Sequence, residues 1–389
     1  MNEDGPRIFY PVPERIPDPR ARFLQIVNTC HAMALEGAKV ELAAGLRKGT
    51  SGAEVLRAYG LPDAPGFTVR GVPILRADGK EILRVSWHGL FHVACRFRLA
   101  RLLREGRYCV YVRHIKLADF LLRHRARLGF RLFFEVHELF HRGTERRRNV
   151  SRLRQMESRV YGEADGVVCM SRRLEGLLRE EGVTHDRVAV IPHAVKEEWF
   201  DIRRGEGAGF VGYVGSLYPW KGVDVLVSAM RYLPGEKALI VGGGDRLPAL
   251  KELAAREGAG DRVEFTGPVL HAEVPGMLAR MKVAVLPNVA EEASMMSSPL
   301  KMFEYLAAGV PIVAADLPVF REILVHGKNA LLFPPGDATA LAAAVRRLAE
   351  DPGLSRRLGE RARRDAEGFT YARRARRILD FIVREGVSR

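Results

Sequence analysis

Two successive series of short apolar runs, each run followed by a stretch of helical spacing, constrain this chain more than any other feature. Strand–helix alternation of that kind builds parallel sheets covered on both faces. The first series predicts strands over residues 7–12, 39–44, 68–75, 81–86, 108–112, 131–136, 166–170 and 187–191, with helices over 21–36, ended by Gly37, and over 92–104. Residues 46–66, marked by Gly and Pro, read as irregular. A polar stretch from Pro192 to Gly209 breaks the pattern, and a second series follows at 210–214, 238–241, 263–266, 283–286, 312–315 and 330–333. Residues 354–384 read as helical, with Arg on the outer side. The expected fold class is α/β, two Rossmann-like doubly wound domains whose ligands sit in a cleft at the carboxyl ends of the strands.

Composition agrees with this. A chain of 389 residues with 47% apolar content is long enough to bury two cores. No run of eighteen apolar residues occurs, and the opening MNEDGPRIFYPVPERIPD lacks the basic-then-apolar order of a signal peptide, so a cytoplasmic location is expected. Cys30, Cys95, Cys109 and Cys169 form no CxxC pair and are expected to be reduced thiols, not a disulfide framework or a zinc site.

The formal charge of +15 lies mainly in the first half, where residues 1–200 hold 35 Lys and Arg against 24 Asp and Glu. Between Arg96 and Arg131 eleven basic residues meet only Glu105 and Asp119, with Phe97, Tyr108, Tyr111, Phe120 and Phe130 interleaved. Such a face fits a solvated Arg-rich surface or an anionic membrane surface carrying a polyprenyl-linked acceptor. No compact nucleic-acid motif accompanies the charge, and nucleic acid is not expected as a partner.

The densest chemistry is in SSPLKMFEYLAAGVPIVA, residues 297–314. Ser298 suits an N-cap and Pro299 a first helical position, so the amides of Leu300 and Lys301 are expected to face outward with the positive helix end behind them, where a diphosphate fits. Glu304, about one and a half turns on, can accept two hydroxyl hydrogen bonds from a vicinal diol such as ribose. Ala307, Ala308 and Gly309 allow close packing before Pro311 opens the next strand.

Together with VGYVGSLYPWKGVDVLVSAM, residues 211–230, this segment resembles the donor-site signature of the retaining glycosyltransferases of family four (glycosyl transferases group 1, the GT-B fold), in a WKG and SPLK-x-FEY form. The resemblance implies that Lys221 binds the donor diphosphate beside a loop opened by Gly215 and Ser216. It further implies that Glu304 holds the ribose, and that Val269 and His271 lie where relatives hold the base mainly through backbone groups. His137, directly after the strand 131–136, stands where relatives place a histidine that reaches the donor sugar. In relatives a last helix crosses back to the first domain, so the resemblance implies an N-terminal acceptor-side domain over 1–198, a nucleotide-sugar domain over 199–368 and a returning segment over 369–389. Two positions depart from the pattern: Ser216 stands where relatives usually carry Arg, and Met296 where they commonly carry a second Glu.

Other residues are weaker candidates. Lys301 is placed either to touch phosphate or to lie along its helix. Arg20 and Arg22, beside a Pro-rich loop, are candidates for replacing the charge missing at Ser216, or for binding a phosphate on the acceptor. Glu138 is a candidate for acceptor or sugar hydroxyls, and Glu135, inside its strand, reads as structural. Gly242, Gly243 and Gly244 lack the G-x-G-x-x-G spacing of a dinucleotide site. No Asp-x-Asp pair occurs, so neither metal nor cofactor is expected, with Lys221 and the helix amides near Ser297 and Ser298 neutralising the departing diphosphate.

The expected function is transfer of a sugar from a nucleotide-diphosphate donor to a hydroxyl acceptor, a saccharide or lipid-linked saccharide, with retention. Lys221, His137 and Glu304 carry it and no protein nucleophile is involved. The alternatives are a nucleotide-sugar epimerase of the same architecture and a catalytically inactive nucleotide-sugar or polyanion-binding relative.

Overall fold

A computed structural model of the chain describes residues 5–47, 49–74, 87–142, 150–183, 187–203, 209–296 and 298–387; the expected strand 81–86 and Ser297 lie outside these. The chain divides into two compact units. The first comprises residues 1–170, 174–192 and 371–389, and the second 171–173 and 193–370.

The first unit is built on a parallel sheet of seven strands: β1 (Arg7–Ile16), β2 (Lys39–Leu46), β3 (Phe67–Gly71), β4 (Tyr108–Val112), β5 (Arg131–Val136), β6 (Gly166–Cys169) and β7 (Val188–Val190). Their order is β3-β2-β1-β4-β5-β6-β7, so the winding reverses between β1 and β4. Strands such as YCVYV and RLFFEV are buried along nearly their whole length because helices cover both faces of a parallel sheet. The stretch expected to be irregular contains a helix, Gly52–Ala58. Ser51 and Glu54 close a capping box at its start, a signal that the neighbouring Gly and Pro residues obscured. All four cysteines are buried free thiols.

Two carboxylates are buried in this sheet, and each has a guanidinium partner. Glu41 on β2 receives Arg98 Nε at 2.7 Å from the helix Trp87–Glu105. Glu135 on β5 is saturated: Gln25 Nε2 (3.1 Å) and His137 Nε2 (2.6 Å) reach Oε1, and Tyr111 Oη (2.6 Å) and Arg374 Nη2 (2.8 Å) reach Oε2. Arg374 comes from the last helix, Tyr371–Val387, which packs on the helix Ala21–Leu35. Its Nη1 also donates to the carbonyls of Ile191 (2.7 Å) and Pro192 (2.6 Å), just beyond β7.

The second unit is a parallel sheet of six strands in the order β10-β9-β8-β11-β12-β13: β8 (Phe210–Val214), β9 (Lys237–Val241), β10 (Val263–Gly267), β11 (Met281–Leu286), β12 (Ile312–Ala315) and β13 (Leu331–Phe333). Here the winding reverses between β8 and β11. The chain enters this unit a few residues before the expected boundary, because Val195 bridges Thr370 and Trp199 is buried in the second core. The expected helix over 354–384 is interrupted at residues 367–369, between Pro352–Ala366 and Tyr371–Val387.

Removing one side of a buried ion pair strands the other charge. Arg374→Met is expected to destabilise the chain by about 3–5 kcal/mol, with part of the loss recovered when Glu135→Gln is added. Urea denaturation of the full-length single and double variants measures both.

Candidate functional site

In the second unit the site grows from the two strands that flank the winding reversal. Gly215 follows β8 with φ +137°, a conformation that side chains disfavour, and its N–H donates to Val241 O at 2.8 Å. Tyr213 Oη donates to the Ser216 carbonyl at 2.7 Å, fixing the loop from below. The next turn, Pro219–Lys221, is closed by Gly222 in the left-handed region (φ +64°, ψ +26°), and Tyr218 and Trp220 stack at 4.6 Å with planes 7° apart. Trp220 O accepts from Ser294 Oγ (2.8 Å) and Val289 N (3.3 Å). The backbone carrying Lys221 is therefore held from both sides.

Lys221 is only partly exposed, and loss of solvent pulls its ammonium down to about 8. Lys301, in the first turn of the helix Leu300–Ala307, has a buried Nζ with no hydrogen-bond partner, 3.7 Å from the centroid of the Tyr213 ring. Burial lowers it well below its ordinary value, the charge of Lys221 lowers it further, and only Glu304 acts in the opposite sense. A Cβ on Gly215 would stand 2.5 Å from that nitrogen, so the bare glycine is what leaves room for the ammonium. Within the second unit, Lys301 is the basic side chain that stands beside Gly215. Arg20 is tied to Asp18 at 2.7 and 2.8 Å, and Arg22 pairs with Glu14 in the other unit.

The helix start differs from expectation by one residue. Pro299, extended at φ −77° and ψ +133°, is the N-cap and Leu300 the first helical residue. Ser298 is buried one position too early to cap, and its side chain makes no capping bond. The first amides, those of Leu300 and Lys301, still lack intrahelical acceptors by position. Glu304 is buried, not a surface charge, and its Oε1 meets His271 Nε2 at 2.8 Å. The His271 ring packs 5.3 Å from Trp199. Thus Gly215, Ser216, Lys221, Lys301, Glu304 and His271 all belong to one unit and one strand-end region, with Val269 packed on its core. Met296 is buried in the short helix Glu292–Met296.

Asn288 is the residue that sequence reading missed. It lies two positions beyond β11, is 1% exposed, and neither of its side-chain polar atoms has a partner. An unpaired buried amide costs about 1–3 kcal/mol, so this side chain as placed does not add to the stability of the fold. A polar residue directly after an apolar strand at the winding reversal was the available signal.

His137 stands in the first unit at the carboxyl end of β5. Burial, followed by the charge of Arg113, lowers it to about 4, against the opposing pull of Glu135. The ring is neutral at pH 7 and donates from Nε2 to Glu135, because a carboxylate only accepts. Burial opposes ionisation of Glu135, but Arg374, then His137 and Arg113, hold its carboxyl well below the usual range. His137 lines a cavity of about 270 Å³ together with Arg22, Arg113, Lys116, Glu14 and the exposed Glu138. Among the described residues no group of three or more His, Cys, Asp and Glu side chains is placed to hold a metal ion.

The chain matches the family model described as Glycosyltransferase Family 4 over residues 25–199 and the one described as Glycosyl transferases group 1 over residues 208–351. An exopolysaccharide phosphotransferase of Streptomyces coelicolor is 34% identical over 211 residues, 53% of this chain and 22% of that protein. A D-inositol 3-phosphate glycosyltransferase of Streptomyces bingchenggensis is 27% identical over 249 residues, 58% of this chain and 54% of that one. The chain therefore spans between about a fifth and somewhat over half of these relatives. Among solved structures, sucrose-phosphate synthase from Thermosynechococcus elongatus superposes with a TM-score of 0.78 at 19% identity, covering 99% of this chain and 100% of that one. The Anabaena protein HepE in complex with UDP superposes with a TM-score of 0.75 at 17% identity, covering 97% and 100%. With a family model matched in each half and the fold shared along almost the whole chain, this protein belongs to the family 4, group 1 glycosyltransferases and has their GT-B fold.

Proposed function

We propose that the chain transfers a sugar from a nucleotide-diphosphate donor to a hydroxyl acceptor with retention at the anomeric carbon. One observation carries this reading: Lys221 and Lys301 are drawn out of water within range of each other's charge, and neither forms an ion pair among the described residues. Like charges in a desolvated site are unfavourable until a dianion arrives. The arrangement is preorganised for negative charge on a departing diphosphate and provides part of the neutralisation that a metal ion supplies in other systems. The first amides of the helix Leu300–Ala307 add their dipole.

Glu304 offers a buried carboxylate to the ribose diol, with Oε1 also meeting His271. Val269 and the backbone near His271 border the base. The neutral His137 is suited to orienting a sugar hydroxyl without adding charge. In this reading no side chain becomes covalently attached. The relocation of a cation to Lys301 speaks against an inactive relative, since the charge missing at Ser216 is replaced. Nothing favours an epimerase. HepE was captured with UDP and with UDP-glucose, which makes UDP-hexoses the first donors to test here. A saccharide or polyprenyl-linked acceptor at an anionic membrane surface accords with the helix Trp87–Glu105, where Phe97 is 62% exposed beside Arg96.

Lys221→Ala is expected to weaken both UDP and inorganic diphosphate by about 1.5–3 kcal/mol, the scale of a charged hydrogen bond. Glu304→Gln should weaken UDP and spare diphosphate. Calorimetry on the folded variants decides, and unchanged UDP affinity in both would overturn the site. A bound diphosphate raises the pKa of Lys221, so binding takes up a proton there, and the affinity that Lys221 contributes is fully present below about pH 8 and falls above it. Titrations between pH 7 and 9.5, roughly one to two units around that value, in buffers of different ionisation heat measure this. Vesicles with anionic lipid should retain the chain at low salt and release it at high salt, whereas equal binding to neutral vesicles would remove the membrane role.

A further inference from the structure

A cavity of the first unit, the one beside His137, is lined by cationic groups as well as by groups that bond hydroxyls. It lies at the carboxyl ends of β1, β4 and β5, where the winding of the seven-stranded sheet reverses, the position at which open sheets take ligands. Its volume of about 270 Å³ is at the small end for ligand pockets and suits one small polar molecule.

Its charges are unevenly satisfied. Arg22 is paired with Glu14, yet its Nε is buried without a partner. Arg113 donates to Gln25 Oε1 at 2.9 Å and forms no ion pair among the described residues. The nearest buried acid, Glu135, already spends all four of its acceptor positions on Gln25, His137, Tyr111 and Arg374. Lys116, exposed in the first turn of the helix Ile115–Leu122, likewise has no ion-pair partner among the described residues. The helices Ala21–Leu35 and Ile115–Leu122 both begin at this cavity and add positive ends. Against these stand Glu138, exposed and able to accept hydroxyls, and the neutral His137.

Guanidinium and ammonium groups for an anion, beside a carboxylate and an imidazole for hydroxyls, make a chemically mixed pocket. We infer that the acceptor is a saccharide carrying a phosphoryl group, held by Arg113 and Lys116 with its reacting hydroxyl beside His137. The inference rests on the transferase reading above and names the substrate class of its second site. The phosphoryl group can come from a free sugar phosphate or from the headgroup of a lipid-linked saccharide, and both present the same chemistry to these two cations.

Calorimetry with the full chain distinguishes the sources. Glucose 6-phosphate is expected to bind at least about ten-fold more tightly than glucose, as charge-assisted hydrogen bonds require. Lys116→Gln and Arg113→Gln should each remove most of that preference while leaving UDP affinity unchanged. If the source is a lipid, glucose 6-phosphate shows no preference. Phosphatidylcholine vesicles bearing a polyprenyl-diphosphate-linked monosaccharide then retain the chain, those without it do not, and the same substitutions abolish retention. Binding of neither probe, or a preference that survives the double substitution, overturns the inference. Lys116→Gln changes an exposed side chain, so its result does not depend on the buried network around Arg113. Loss of UDP binding in the unsubstituted chain would count against the donor site alone.

Discussion

Glu135 and Arg374 are each 1% exposed and share a 2.8 Å hydrogen bond, although 239 residues separate them in the chain. Taking two such groups out of water is unfavourable by several kcal/mol per ion, and the pair is tolerable only because every remaining position is filled. Tyr111, Gln25 and His137 complete the carboxylate, while the carbonyls of Ile191 and Pro192 complete the guanidinium. From this pair follow the seating of the last helix, the tautomer of His137 and the freedom of Arg113 to turn its charge elsewhere. A surface pair of the same composition would fix none of these.

The second unit follows the opposite rule at the corresponding end of its sheet. There the half-buried Lys221 and the buried Lys301 form no ion pair among the described residues, and the amide of Asn288 finds no partner among them. Groups in that state reduce stability in the empty protein and gain when a polar, negatively charged molecule enters. One unit thus uses its buried charge to hold the chain together, and the other keeps its charge available.

Much of the fold was legible because parallel strands, buried on both faces, write themselves as short apolar runs. Residues 108–112, 131–136, 210–214 and 312–315 are strands with the very bounds expected. Local signals were lost where composition pulled the other way, as in the capped helix after Ser51 among Gly and Pro residues. The candidate site was legible as a list of residue types, and its energetics were not. That Glu304 is buried against His271 and that Lys301 fills the space beside Gly215 depend on residues between about 30 and 90 positions apart, which no local window of about 11–18 residues contains. Asn288 and Arg113 were passed over for the same reason. A polar residue in sequence does not show whether it will find a partner.

The first unit is discontinuous in the chain, since residues 371–389 belong to it and residues 193–370 do not. During synthesis from the amino terminus, Glu135 is therefore made long before Arg374 emerges to neutralise it. The strands of the first sheet are all made by Val190, but the carboxylate among them stays without its guanidinium until Arg374 has emerged. A chain cut short before Arg374, in the first turn of its final helix, loses the cation that Glu135 relies on.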